Sequence, residues 1–81
     1  MNTSEFPQFR RYKNVETYFK IISMDSFEEI RSLGKNWIKE IHQVKILPDR
    51  NFLHDLLNNY QDFAVEITPE TYSAIEKLAN N

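Results

Sequence analysis

Ser26-Phe27-Glu28-Glu29-Ile30-Arg31-Ser32-Leu33-Gly34-Lys35-Asn36-Trp37-Ile38-Lys39-Glu40-Ile41-His42-Gln43-Val44-Lys45-Ile46 supports two incompatible readings. In the first, Ser26 and Glu29 form a capping box, and Phe27, Ile30, Leu33, Trp37, Ile41 and Val44 recur at helical spacing. Gly34 opposes it, because a glycine costs about 1 kcal/mol inside a helix, and Asn36 stands close by. In the second, residues 27–33 and 37–47 are strands around a Gly34-Lys35-Asn36 turn, or a short helix ends at Gly34 and only the later run is a strand. Taken alone, these residues lean toward helix over 26–33.

The segments on either side are easier to read. Gln8 to Tyr12 and Thr17 to Ser23 are rich in aromatic and β-branched residues and flank a polar break at Lys13-Asn14, which predicts a hairpin. Both faces of the second strand are partly apolar, with Phe19 and Ile21 on one side and Tyr18 and Ile22 on the other, so a central position is expected. Downstream, Pro48 stops the preceding element. Phe52, Leu53, Leu56, Leu57 and Tyr60 then share one helical arc over 49–59, with Asp49 or Asn51 as N-cap. Phe63, Val65 and Ile67 alternate with Ala64 and Glu66 as in a half-buried strand over 62–67. Thr68 precedes Pro69 as the cap of a helix over 69–79, with Tyr72, Ile75, Leu78 and Ala79 inward.

The run Thr17-Tyr18-Phe19-Lys20-Ile21, the piece Phe27-Glu28-Glu29-Ile30 with Leu33-Gly34, and Ile46-Leu47-Pro48-Asp49-Arg50-Asn51-Phe52 with Asp55 resemble a group of short bacterial proteins of unassigned function. The resemblance covers about half of the chain and implies no activity. It implies strand, turn, strand for residues 27–46, which tips the expectation there toward a meander. The stretch Trp37-Ile38-Lys39-Glu40 departs from it and keeps the helix open.

The expectation is therefore a small single α+β domain over 8–81, with a flexible arm at 1–7. An antiparallel sheet, built from the N-terminal hairpin, the 36–46 region and a later strand, is covered by two helices. At 81 residues, 41% apolar and 27% charged, the chain has room for one modest core. It contains no cysteine, so neither a disulfide nor a thiolate metal site contributes. The first residues carry no basic-then-apolar leader, and no apolar run approaches membrane-spanning length, which makes a cytoplasmic protein without membrane contact the expectation.

Chemistry-bearing motifs are sparse. Only His42 and His54 could serve as imidazole ligands, and neither has a second histidine at helical spacing, so both are expected at the surface and no metal or other cofactor is expected. Asp49, Arg50, His54 and Asp55 form a polar knot that could support acid–base chemistry, but a helix start accounts for the same residues. No phosphate loop or nucleophile elbow occurs, and a non-enzymatic role is expected.

Two binding readings remain. Net charge is −2 overall, but residues 1–24 carry +2 and residues 48–81 carry −4. Arg10, Arg11, Lys13 and Lys20, interleaved with aromatics, are the candidate nucleic-acid or anion face. Eleven aromatic residues are many for so small a core, and Phe9, Trp37 and Tyr60 are the candidate anchors for a protein partner. Protein interaction, through an unknown partner or self-association, is the expected function, with weak nucleic-acid binding as the alternative.

Overall fold

The computed structural model describes residues 6–79. Residues 1–5 of the expected arm lie outside this range, whereas Phe6 packs against the core. Five strands and two helices follow in the order β1 (Gln8–Tyr12), β2 (Thr17–Ser23), β3 (Ser26–Leu33), β4 (Asn36–Gln43), α1 (Leu47–Asn58), β5 (Ala64–Glu66) and α2 (Pro69–Ala79). The sheet order is β4-β3-β2-β1-β5, every pairing is antiparallel, and β2 is central as its two apolar faces require.

The ambiguous segment is a hairpin. Ser26 pairs with Gln43 and Leu33 with Asn36, so only Gly34 and Lys35 make the turn and Asn36 already belongs to β4. Gly34 takes φ +63° while no other described residue has positive φ, the signature of a type II′ turn with glycine at its first central position. The helical reading of 26–33 thus fails, and so does its capping box. Ser26 instead joins Ser23 and Asp25 in the β2–β3 connection, where the Ser23 hydroxyl donates to Asp25 Oδ1 at 2.8 Å and lies 3.1 Å from Ser26 Oγ. A bulge between Ile21 and Ser23 leaves Ile22 without a β3 partner.

The helices cover opposite faces of the sheet, giving three layers. On one face Phe19, Ile21 and Phe27 meet Leu53, Leu56 and Leu57 of α1. Phe52 adds tilted or edge contacts to Phe19 and Phe27, at centroid distances of 6.0 and 5.7 Å. On the other face Tyr18 and Ile30 meet Tyr72 of α2, flanked by Phe9, Trp37, Ile67 and Ile75. Phe27 and Ile30, three residues apart, therefore serve different cores. Helix-like spacing arises here because both faces of the strand are covered.

Several details depart from the expectation. Helix α1 begins at Leu47 with Ile46 as N-cap and no side-chain cap, so Asp49 sits in the first turn, where its charge complements the positive end of the helix dipole, and is not the cap. Strand β5 is three residues long and has the reverse phase: Ala64 is buried and Val65 exposed. Thr68 does cap α2, accepting the Thr71 amide at 3.1 Å, but Leu78 faces outward.

A buried polar pair links α2 to the sheet. The Tyr72 hydroxyl donates to Glu28 Oε1 at 2.9 Å, and Lys39 reaches Glu76 at 3.0 Å and Glu28 at 3.9 Å. Burial first, and then the Glu28 bond, push the Tyr72 phenol above its ordinary value of 10.0. A raised phenol pKa gives stability that is complete below about pH 10 and is lost as pH rises beyond it. Urea midpoints at pH 8 and pH 11 are therefore expected to fall more for wild type than for Tyr72→Phe. At Gly34 a Cβ would meet nothing within 4 Å, so strain alone opposes Gly34→Ala. That variant is expected to lose about 1–2 kcal/mol in urea unfolding.

Candidate functional site

The basic residues of the hairpin do not share a face. Arg10 is only 3% exposed and lies on the α1 side of the sheet. Its Nε donates to the Leu56 carbonyl at 3.2 Å, one of the last four carbonyls of α1, which lack partners within the helix. Its guanidinium carbon sits 4.1 Å from the centroid of the Tyr60 ring, and Nη1 lies 3.7 Å from Glu66 on β5. Arg10 is therefore engaged inside the fold, unlike the open cationic position expected of it. Arg11 and Lys20 lie on the α2 side, with Arg11 over Tyr18 at 5.4 Å, while Lys13 is exposed just beyond β1. Arg10→Ala is expected to cost roughly 1.5–3 kcal/mol in urea unfolding, the range for a lost charge-assisted hydrogen bond.

The three aromatic anchors are half-buried and already engaged. Phe9 packs on Tyr72 at 5.3 Å, Trp37 on Tyr18 at 6.1 Å, and Tyr60 holds Arg10. Asp49, Arg50, His54 and Asp55 are exposed along α1, and Asp55 borders a shallow groove of about 470 Å³ shared with Tyr12, Val15, Phe52 and Phe63. Asp55 is the carboxylate of that groove, and the Tyr12 phenol is its other ionisable group.

Outside these expectations, the β3–β4 register assembles a charged cluster on the α1 side. Glu29 pairs with Glu40, and His42 lies two residues along. His42 stacks on Phe27 at 4.9 Å, and its Nε2 lies 3.1 Å from Glu29 Oε1. The ligating atoms of Glu29, Glu40 and His42 lie within 4.8 Å of one another, a spacing compatible with a metal. Arg31 already supplies the positive charge there, at 2.8 Å from Glu40 and 3.8 Å from Glu29. Its hydrogen bond holds the Glu40 carboxyl below its ordinary value and raises the Arg31 guanidinium in return. Arg31 thus offsets one of the two carboxylate charges of the cluster.

The sheet's own edge is the remaining candidate. β4 is terminal in the strand order, runs for eight residues, and has no further strand on its outer side among the described residues. A two-residue turn closes with a hydrogen-bonded Leu33–Asn36 pair, and such pairs alternate along an antiparallel ladder. The Val44 amide, donating to the Asp25 carbonyl at 2.7 Å, keeps the same phase at the far end. Trp37, Lys39, Ile41 and Gln43 thus turn their N–H and C=O groups outward. Ile41 is 61% exposed on this edge and Leu33 is 59% exposed at the turn.

Common protections of an edge are weak here. β4 contains no proline and is not short, and Lys39 is drawn onto the α2 face by Glu76 and Glu28. At the opposite edge β5 offers only three residues. Sequence reasoning expected a strand over the 36–46 region but not its role as an open edge, because the competing helical stripe placed Ile41 inward. The available signal was Gly34 as the first residue of a two-residue turn, which fixes the register and with it the Glu29–Glu40 pair.

Comparison of the chain with protein-family models, with curated proteins and with solved structures yields no match. Among the described residues no helix is long and apolar enough to cross a membrane. Because Ile41 is mostly exposed, Ile41→Lys is expected to leave the free energy of urea unfolding within about 0.5 kcal/mol of wild type. That variant isolates edge effects from folding effects.

Proposed function

We propose that this protein is a non-enzymatic interaction module that receives an additional β-strand along the outer side of β4. The observation that carries the reading is the eight-residue open edge with Ile41 exposed on it. Main-chain groups of Trp37, Lys39, Ile41 and Gln43 supply affinity for any extended segment, and side chains at alternate positions supply selectivity. The three-layer core holds the edge rigid, so little ordering cost falls on this side of the interface.

Burial of Arg10 takes one cation out of the hairpin's basic set and leaves Arg11, Lys13 and Lys20 to carry the nucleic-acid reading, which favours the edge over a phosphate track. Capture from native host extract, with nuclease and at two salt concentrations, compares wild type with Ile41→Lys and with a Lys13→Ala/Lys20→Ala variant. A protein retained through nuclease and high salt by wild type and the double variant, and lost by Ile41→Lys, is the expected result. Nucleic acid released by salt and lost by the double variant would replace this reading with the basic one.

A further inference from the structure

We infer that the strand received by β4 is β4 of a second copy, in an antiparallel register centred on Ile41. The inference rests on the strand-receiving reading above and names its occupant.

Two copies that extend one sheet edge to edge are related by a two-fold axis perpendicular to the sheet, so each residue faces a partner on the same side of it. The axis position fixes every pair. An axis at Lys39 sets the two lysines against each other, and an axis at Glu40 does the same with two carboxylates; like charges directly opposite are destabilising. An axis at Ile38 places Ile41 against Lys35 and leaves the exposed isoleucine without an apolar partner. An axis at Ile41 pairs Ile41 with Ile41, Lys39 with Gln43 and Glu40 with His42, and each of these last two pairs occurs twice.

This register has three physical merits. It buries the one large apolar side chain of β4 that is exposed, against its own copy. It joins outward-turned backbone groups to outward-turned ones, because Ile41, Lys39 and Gln43 all present N–H and C=O at the edge. It sets an acidic residue against an imidazole at the non-hydrogen-bonded pairs, where side chains approach most closely. The groups facing this contact from the same side are Glu29 and Arg31 of β3, which already hold His42 and Glu40 in place. The result is a ten-stranded sheet whose long edges meet and whose outer edges are the short β5 strands.

The chain has no cysteine, so an introduced thiol reports on one position alone. Glu40→Cys and His42→Cys variants are prepared separately, then oxidised mildly alone and as an equimolar mixture. The mixture is expected to form a disulfide-linked heterodimer, because non-hydrogen-bonded partners have Cα atoms about 4.5 Å apart. The symmetry-related Glu40–His42 pair stays intact in that heterodimer. Each variant alone is expected to remain largely unlinked. Sedimentation at about 100 µM, where a short-edge interface of modest area is measurable, is expected to show dimers for wild type and monomers for Ile41→Lys with an unchanged circular dichroism spectrum.

Glu40→Cys linking to itself would overturn this register in favour of an axis at Glu40. Monomeric wild type would overturn self-pairing. In that case a different protein captured by wild type and lost by Ile41→Lys leaves the strand-receiving reading standing, and no Ile41-dependent capture removes both.

Discussion

A sheet with a helix on each side must carry apolar side chains on both faces of its inner strands. In 81 residues this constraint draws on all the described aromatic side chains, while Ile22, Leu33, Ile41 and Leu47 stay exposed. Phe19 and Ile21 serve one core while Tyr18, one position away, serves the other. The arrangement leaves few polar positions inside, and the two principal ones are cross-layer ties. Arg10 binds the end of α1 through the Leu56 carbonyl, and Glu28 binds α2 through Tyr72. Each satisfies a group that burial would otherwise strand.

The same constraint decides what is left for binding. Because α1 and α2 occupy the two faces, the sheet meets solvent mainly at its edges, and the edges are unequal. β5 is three residues long, whereas β4 runs for eight with Ile41 outermost. Cations that sequence order places together in the hairpin are separated by the pleat, since Arg10 and Arg11 necessarily point to opposite sides. Adjacency along a strand is thus a poor guide to a shared surface.

The fold class, the N-terminal hairpin, the central place of β2 and the two helices were legible because each rests on local signals: a polar break, a proline stop, a threonine cap. The 26–46 segment was legible only in part. Apolar residues at spacings of three and four describe a helix stripe, and they equally describe a strand that contributes to two cores, as Phe27 and Ile30 do. Gly34 held the deciding information, but its weight depends on whether the turn has two residues or three. An error of one there moves every β4 side chain to the other face, which is why the Glu29–Glu40–His42–Arg31 cluster and the exposed Ile41 were not foreseen. The reversed phase of Ala64 and Val65 was hidden for a related reason: a small residue fits under α1, where hydrophobicity alone would favour the valine.

The strand order β4-β3-β2-β1-β5 also carries a kinetic consequence. Four strands pair with their neighbours in sequence, through connections of a few residues, so β1 to β4 can zip from local contacts with little loop entropy to overcome. The pairing of Tyr12 with Ala64 instead closes a separation of 52 residues. Among the strand pairings, this one therefore carries the largest loop-closure entropy.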